Sequence, residues 1–458
     1  MRLQNIAIIH FLLLLYIVIS TIVVFQSSPS EHIVFYTQVL LFITFFWTLY
    51  AQIRLNGIIH LFTIFLGLFF LFLLGLPFLD LINVIDITKV HLFKPIVLSN
   101  EIFTKVYTFS TTFIAITFLG VMFGYSNDNN PKGNIEIKYS SILFSAGIVI
   151  FLLALPGILI KYYLQFQIIL QQGYVSIYNG SLEQINYPLI CTGSGTLLII
   201  GYCIFISSNP NKKQYIAITT IFLITQIING LKGQRSVLMF PFVCCVWFYL
   251  KFYIGYVSKR KIILMILCVA VAGQAILFLR HHNDFSTKNN SFVEKYISGF
   301  FIQQGVSFFI LPYMLHYDLR NDRYPYLIAP LDIRSYGKIQ NTDRLKKFNY
   351  LPDQLMYRML PQDFKKGYGL GSSILGVLYD LPIIISLIIS FLMGFFITKF
   401  ELIVKSSRLL MLSAYYIVYA VTSSTRYEPF QLFYDLVLVW IVFMIIEMFY
   451  SKSLVSAK

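Results

Sequence analysis

Charged residues are scarce in this sequence. Asp, Glu, Lys and Arg make up 12% of its 458 residues, whereas soluble proteins carry roughly 25%. A soluble protein of this length could not cover its surface with so few charges. The scarcity excludes a cytosolic enzyme and a disordered regulator. The hydrophobic fraction of 57% indicates instead a protein that crosses a membrane many times.

Cysteine and histidine are also few, with 5 and 7 residues. The cysteines all lie in apolar runs without a CxxC spacing, which is typical of buried, unreactive thiols and excludes a disulfide scaffold. The histidines form neither HxxxH nor HExxH, so the sequence predicts no metal site and no cofactor. The apolar N-terminal stretch is not followed by an A-x-A-like cleavage site, and we expect it to remain as a first span.

The long apolar runs predict an all-α, polytopic transmembrane helix bundle. A bilayer core requires about 20 apolar residues per helix, and only segments that satisfy their own backbone groups can cross it. About twelve spans meet this condition. They are residues 5–25, 33–51, 57–79, 104–124, 140–160, 188–208, 214–230, 236–256, 261–279, 374–399, 408–424 and 430–449.

One connection is much longer than the others, and it divides the chain into three parts. The predicted parts are a bundle of nine spans (1–279), a long external loop (280–373), and spans ten to twelve with a cytoplasmic tail (374–458). The short loops on one side carry fourteen Lys and Arg residues, against seven on the other. Because cytoplasmic loops are enriched in Lys and Arg, we expect both termini in the cytoplasm and the long loop outside.

Two apolar segments are interrupted by polar residues. Residues 297–315 contain Gln303, Gln304 and Pro312, which favours an interfacial or re-entrant helix over a thirteenth span. In residues 161–180 apolar residues alternate with Gln and Tyr, which predicts an amphipathic helix lying on the outer membrane face.

Three arginines lie at predicted outer helix ends. Arg235 closes a Gly-rich turn that also contains Lys232 and Gln234, Arg280 ends span nine, and Arg426 lies between spans eleven and twelve. Arginine binds phosphate in a bidentate manner and keeps its charge at any pH. These positions therefore indicate a site for an anionic substrate. Contact with lipid headgroups explains the same positions equally simply.

Further polar residues accompany these arginines. The external loop has thirteen basic and eight acidic residues, and two of its cations, Arg320 and Arg323, are candidates for substrate binding. Tyr379 is a third candidate, because Tyr-Asp-Leu triplets at 379–381 and 434–436 place ionisable groups inside spans. The candidates for a general base are His281, His282, Asp284 and Glu428.

The layout of the chain resembles bacterial O-antigen polymerases of the Wzy type. The resemblance covers most of the chain and consists of short motifs and their order. They are the Gly-x-x-Gly-Gln-Arg-Ser turn at 230–236, Leu279-Arg280, the long external loop, Gly173-Tyr174, the glycine-rich stretch at 367–373 before Leu378-Tyr379-Asp380, and Thr425-Arg426.

The resemblance implies a glycosyltransferase with a GT-C-like fold at the outer face of the bacterial inner membrane. Its expected substrate is an oligosaccharide linked to undecaprenyl pyrophosphate and embedded in membrane lipid, and a polysaccharide chain-length regulator is an expected partner. The family is regarded as metal-independent, with essential outer-face arginines. This role passes to Arg235, Arg280 and Arg426.

Two other functions fit part of the pattern. A flippase for lipid-linked oligosaccharides would also have about twelve spans, but such transporters usually show two similar halves and short loops. The ligase that transfers O-antigen to the lipid A core shares the spans and the large external loop. Nucleic acid is a poor partner, because the basic residues are dispersed and no nucleic-acid module is present.

Overall fold

Helices account for almost all of the chain that the structure describes. A computed structural model describes residues 3–90, 96–126, 137–172, 185–230, 235–254, 299–319, 326–331, 351–360, 371–427 and 432–456, and these contain no β-strand. The helices are α1 (Leu3–Gln26), α2 (Glu31–Asn56), α3 (Leu61–Leu81), α4 (Asn100–Ser126), α5 (Ser141–Gln172), α6 (Ser194–Ser207), α7 (Lys212–Gly230), α8 (Arg235–Tyr249), α9 (Gly299–Gln304), α10 (Ile310–His316), α11 (Leu351–Met359), α12 (Ile374–Tyr379), α13 (Ile383–Ile403), α14 (Arg408–Ser423) and α15 (Phe433–Ser456).

Seven helical segments among the described residues are long and apolar enough to cross a membrane. They are α1 to α5, α8 with its π-helical extension to Ile254, and α13 with the turn that follows it. Helices α7, α14 and α15 coincide with three more predicted spans. The prediction of an all-α polytopic membrane protein is therefore confirmed. The predicted ninth span, 261–279, lies outside the described residues.

The amphipathic helix predicted over 161–180 does not begin at residue 161 as a separate element, and residues 173–180 lie outside the described residues. Helix α5 continues without interruption from the fifth span to Gln172, past Pro156 and Lys161. The Lys161 ammonium lies 5.7 Å from the centre of the Tyr187 ring, and the Gln165 amide donates to the Tyr187 hydroxyl at 3.0 Å. The Lys161 and Gln165 side chains thus contact a neighbouring segment of the protein, and the helix continues beyond residue 160, the predicted end of the fifth span.

The predicted tenth span, 374–399, consists of two helices. Helix α12 ends at Tyr379, Asp380 is its C-cap, and α13 begins after Pro382. Proline cannot donate a backbone hydrogen bond, and it disfavours helical geometry in the residue before it. The Tyr379-Asp380 pair therefore lies at a break between helices and not inside one span.

Helices α4 and α13 pack in close contact through glycine. A Cβ atom on Gly120 would lie 1.9 Å from the Phe391 carbonyl oxygen, and one on Gly394 would lie 1.9 Å from the Thr117 carbonyl oxygen. Small residues allow such close approach between helices in membranes. This contact fixes α13, and with it the short helix α12, against the bundle.

Residues Gly299–His316 form a helix with an irregular middle, which we call the broken helix. It consists of α9, a 3-10 turn over Gly305–Phe309, and α10, and most of the side chains of its second half are buried. Its apolar part, Gly305–His316, is shorter than a span. The structure therefore corrects one alternative: the segment is packed inside the bundle and does not lie on its surface.

The broken helix packs against a second irregular stretch. Residues Phe70–Leu74 in the middle of α3 are π-helical, a geometry that is rare and frequent at functional sites. At the contact, a Cβ on Gly305 would lie 2.5 Å from Leu76 Cγ, so only glycine fits without a shift.

A buried carboxylate joins three helices near the start of α14. Glu401 accepts hydrogen bonds from the backbone N–H of Leu61 at 2.6 Å and from the indole of Trp247 at 2.9 Å, and it forms an ion pair with Lys251. Its side chain is 2% exposed. Because the buried carboxylate has two hydrogen-bond donors and an ion-pair partner within the chain, it holds α3, α8 and α13 together.

Candidate active site

Arg426 lies in the turn that follows helix α14. The backbone N–H groups of Arg426 and Tyr427 both donate to the Ser423 carbonyl, at 2.8 and 2.7 Å. Four hydroxyl residues in a row, 422–425, precede the arginine, and three of them donate to carbonyls one turn earlier. Since the last carbonyls of a helix lack partners within it, these side chains stabilise the helix end and fix the turn.

The turn is fastened to the segment before α12. The Ser372 N–H donates to the Arg426 carbonyl at 2.8 Å, and the Ile374 N–H donates to the Ser424 carbonyl at 2.9 Å. Ser373 then caps α12 by accepting from the Leu375 N–H. These hydrogen bonds hold the Arg426 turn beside the segment that precedes α12, although the two are distant in the sequence.

The Arg426 side chain points between α3 and the broken helix. Its Nη1 lies 3.4 Å from Oε1 of Gln304, at the long end of the hydrogen-bond range, and its Cζ lies 5.4 Å from the centre of the Phe72 ring. Phe72 belongs to the π-helical stretch of α3. Arg426 is half-buried and has no ion-pair partner among the described residues. Its charge is therefore oriented but not neutralised within that part of the chain.

Small polar side chains surround this arginine and are almost fully buried. They are Gln304, Ser307, Ser372, Ser373, Thr422, Ser423, Ser424 and Thr425. The Ser307 and Ser372 hydroxyls have no hydrogen-bond partner among the described residues. Buried polar groups normally have one, and an unsatisfied group costs about 1–3 kcal/mol. We call these side chains together with Arg426 the pocket. It is polar, cationic and incompletely satisfied, and it therefore suits an anionic oxygen.

Arg235 begins helix α8, which is packed into the same end of the bundle. Five residues further on, the Phe240 ring lies 6.1 Å from Phe72 and 5.9 Å from Tyr427, measured between ring centres. At 1.5 Å per residue, the Arg235 backbone lies about 7.5 Å along the helix from this aromatic contact. The start of α8 and the Arg426 turn are thus at one end of the molecule, whereas a shared role of the two arginines stays a prediction.

Tyr379 lies at the other end of the short helix α12 from the Arg426 turn. Its ring packs edge-on against Phe109 of α4, with 5.2 Å between ring centres. No contact between Tyr379 and Arg426 is found among the described residues. Tyr379 therefore contributes packing in this structure, and its predicted role in substrate binding stays a prediction.

The two Tyr-Asp-Leu triplets hold the same turn, in which Tyr326 and Leu327 are buried. The Asp380 carboxylate accepts a hydrogen bond from the Tyr326 N–H at 2.9 Å, and the Tyr434 hydroxyl donates to the Leu331 carbonyl. Tyr326–Leu331 is a 3-10 turn in the predicted external loop. The triplets thus anchor this loop to the bundle, which favours their structural interpretation.

The other predicted site residues lie outside the described residues. They are Arg280, His281, His282, Glu428, Lys232, Gln234, Arg320 and Arg323, and of Arg235 only the backbone is described. Among the residues that are described, no three His, Cys, Asp or Glu side chains come together in a group that would hold a metal ion.

Two contributors to the pocket, Phe72 and Ser307, are not predicted from the sequence. Gly371 enters the prediction only as part of the glycine-rich stretch 367–373, and Gln304 only as an interruption of an apolar run. A polar residue within such a run is itself a signal of function in a membrane protein, and Gln304 and Ser307 share that signal. Phe72 carries no signal, because nothing in an apolar helix marks which ring faces a cation.

Comparison with known protein families identifies the chain. It matches the model of the family described as O-antigen polysaccharide polymerase Wzy over residues 6–457, nearly its whole length. No curated protein and no solved structure matches it. The extent of the match agrees with the helical bundle and with the order of motifs along the sequence. The chain therefore belongs to the Wzy family of O-antigen polysaccharide polymerases.

Proposed function

We propose that this protein joins oligosaccharide repeat units, each linked to undecaprenyl pyrophosphate, into O-antigen or a similar surface polysaccharide at the periplasmic face of the bacterial inner membrane. One observation carries the proposal. In a chain of the Wzy family, Arg426 stands in a buried polar pocket without an ion-pair partner among the described residues. A pyrophosphate leaving group requires a cation placed in this way.

The reaction is a glycosyl transfer with a defined exchange of bonds. An acceptor hydroxyl on the sugar of a fresh repeat unit forms a bond to the anomeric carbon of the growing chain. The bond from that carbon to the pyrophosphate oxygen breaks, and its electron pair stays on the pyrophosphate. The acceptor proton passes to a base, for which His281, His282, Asp284 and Glu428 are the candidates.

Arg426 stabilises the charge that develops on the departing pyrophosphate. A guanidinium binds two phosphate oxygens at once and keeps its charge at any working pH. Arg235 and Arg280 are proposed as its partners, because α8 begins at the same end of the bundle and Arg280 is predicted there too. Lys232, Gln234, Arg320, Arg323 and Tyr379 are proposed as substrate contacts.

The distribution of cations supports a periplasmic position for this pocket. The opposite end of the bundle, near Glu401, carries several described lysines and arginines. They are Arg54, Lys138, Lys212, Lys251, Lys399, Lys405 and Arg408. Because Lys and Arg are enriched on the cytoplasmic side, that end is the cytoplasmic one, and the Arg426 pocket faces outward.

The proposal is tested by the length of the surface polysaccharide. In a deletion strain carrying Arg426→Ala or Arg426→Lys, we expect a loss of long chains, because one transition-state contact is worth about 10²–10³ in rate. Arg408→Ala is the matched control, since Arg408 begins the same helix at its other end and donates to the Lys138 carbonyl. Membrane levels of each variant are measured in parallel.

The deletion strain separates this function from its alternatives. Lipopolysaccharide capped by a single repeat unit indicates a polymerase, because export and ligation continue without it. Complete loss of even one repeat indicates a flippase or a ligase and contradicts the proposal. If Arg426→Ala retains chains of normal length at normal membrane levels, the assignment of Arg426 is wrong.

A further inference from the structure

The broken helix presents two buried polar side chains on one face. Gln304 and Ser307 are three residues apart, at the start of and within the 3-10 turn Gly305–Phe309. In a 3-10 helix, side chains three residues apart lie directly above one another. Gln304 is 7% exposed and Ser307 is 1% exposed. The irregular geometry thus aligns an amide and a hydroxyl in the interior of the bundle.

This polar face is turned towards Arg426. Gln304 Oε1 lies 3.4 Å from Arg426 Nη1. The position that a Cβ atom on Gly371 would take lies 3.4 Å from Ser307 Oγ and 3.5 Å from Arg426 Cγ. Ser307 and Arg426 therefore both border the point at which Gly371, because it is a glycine, has no side chain, and Gln304 contacts the same arginine.

The Ser307 hydroxyl, like that of Ser372, differs from the buried serine hydroxyls of the long helices. Ser390 and Ser413 donate to the carbonyl four residues earlier, both at 2.7 Å, as serines in helices commonly do. Ser307 Oγ has no partner among the described residues. The Ser307 hydroxyl is therefore a buried donor without an acceptor, and it lies beside Arg426, which has no counter-charge among the described residues. An oxyanion would supply acceptor oxygens to both groups.

We propose that Gln304 and Ser307 form, with Arg426, a subsite for a phosphate oxygen of the lipid-linked donor. The Ser307 hydroxyl donates to that oxygen. Gln304 acts as a positioning residue, because its Oε1 accepts from the Arg426 guanidinium and orients it. The identity of the ligand as a lipid pyrophosphate rests on the proposed function, whereas the oxyanion chemistry rests on the geometry alone.

Binding measurements on the full-length protein in lipid nanodiscs test this subsite. The probes are undecaprenyl pyrophosphate, inorganic pyrophosphate and undecaprenol, which carries no phosphate. We expect Ser307→Ala to weaken binding of both pyrophosphates by about ten- to a hundredfold, the usual value of a hydrogen bond to a charged group, and to leave undecaprenol unchanged. Gln304→Met is expected to act in the same direction.

Three further variants separate binding from folding. Ser390→Ala is the control, because it also removes a buried helical hydroxyl, but one that has its own carbonyl acceptor. Ser307→Thr keeps the hydroxyl and should retain most of the affinity. Gly371→Ala should lower affinity while the protein folds normally, because its Cβ would make only ordinary contacts and yet fill the space between Ser307 and Arg426.

The outcomes distinguish this inference from the proposed function. Unchanged pyrophosphate affinity in Ser307→Ala, or equal losses in Ser307→Thr and Ser307→Ala, would overturn the subsite. Should Ser307→Ala fail to fold, unchanged affinity in Gly371→Ala would overturn it as well. If undecaprenyl pyrophosphate binds through Ser307 but a deletion strain keeps long polysaccharide chains, then the subsite stands and the polymerase assignment fails. Binding of inorganic pyrophosphate alone would support a free-phosphate site and overturn the lipid-linked ligand.

Discussion

The two ends of helix α14 carry buried polar centres that differ in how their charges are satisfied. Near its start, Glu401 receives two hydrogen bonds and an ion pair from Lys251. At its end, Arg426 has one long hydrogen bond and the face of a phenylalanine ring. The helix has 16 residues, so its two ends are about 24 Å apart, close to the thickness of a bilayer core.

The difference separates a charge used for folding from a charge used for binding. A buried ion whose partners are all within the chain ties helices together, and losing one partner is costly. A cation that the described fold leaves without a counter-charge adds little to stability. Its electrostatic energy is available to a ligand instead. We therefore expect substitutions at the Glu401 end to act on stability and those at the Arg426 end to act on polymerisation.

The largest effect on stability is expected at Glu401. Glu401→Ala leaves the Lys251 ammonium, the Trp247 indole and the Leu61 N–H without their shared acceptor, and should lower the free energy of unfolding by about 3–5 kcal/mol. Thermal unfolding of the purified protein in detergent measures this change. Replacing Glu401 by Gln together with Lys251 by Met removes both charges and should recover much of the loss. A single variant as stable as the unmodified protein would show that this end is not a structural tie.

The opposite result is expected at Arg426. Arg426→Met keeps most of the side-chain volume next to Phe72 and removes one long hydrogen bond, so the free energy of unfolding should change by less than about 1 kcal/mol. Polymerisation rate should fall by about 10²–10³, which corresponds to about 3–4 kcal/mol of transition-state stabilisation. Parallel melting curves and polymerisation assays compare the two effects. A melting temperature that fell as far as in Glu401→Ala would remove the distinction between the two ends.

The sequence reveals these centres unequally. Long apolar runs predict the bundle, and an arginine in a turn between two spans is visible without a structure, so the sequence alone makes Arg426 a candidate. The contact between Glu401 and Lys251 joins residues 150 positions apart, and no local pattern specifies it. Local apolarity also does not show that α5 extends past Lys161, because the polar side chains of this part contact Tyr187, a residue in another segment.

The pocket around Arg426 was predicted only in part, for a related reason. The role of Ser307 depends on the 3-10 turn that aligns it with Gln304, and the turn depends on the close approach of Gly305 to Leu76. Sequence periodicity indicates a helix but not a local change from α to 3-10 geometry. Gly371 is likewise one glycine among several in the sequence stretch 367–373, and only its contacts with Ser307 and Arg426 show its place in the site.

A smaller effect is expected from pH at the Glu401 end. Burial lowers the pKa of His60, which caps α3, to about 4 from its ordinary 6.5, with Glu401 opposing and Lys251 adding to this shift. The unfolded chain then binds more protons between these pH values, so stability is present above pH 6.5 and is lost as the pH falls towards 4. Between pH 7 and pH 5 this amounts to about 2 kcal/mol.

His60→Asn isolates this contribution. In the structure, His60 Nδ1 accepts a hydrogen bond from the Phe62 N–H at 3.2 Å. An asparagine side chain keeps an acceptor for this N–H but does not titrate. We expect the melting temperature of this variant to fall less between pH 7 and pH 5 than that of the unmodified protein. Equal losses in both proteins would assign the acid sensitivity to other groups, and polymerisation at neutral pH should be the same in both.

The smallest effect is expected at Asp380, a carboxylate at the Arg426 end of α14 that accepts a hydrogen bond from within the chain. Asp380 and Tyr434 hold the turn Tyr326–Leu331 by one hydrogen bond each, and a single such bond is worth about 1 kcal/mol. Asp380→Ala or Tyr434→Phe should therefore accelerate amide hydrogen exchange in the turn about fivefold, with little change in global melting. Tyr16→Phe, which removes a hydroxyl bonded to Tyr36 in the first two helices, is the matched control. Faster exchange confined to the turn would show that a charge with hydrogen-bond partners in the chain serves the structure at either end of α14. Unchanged exchange would mean that having such partners does not separate charges used for folding from charges used for binding.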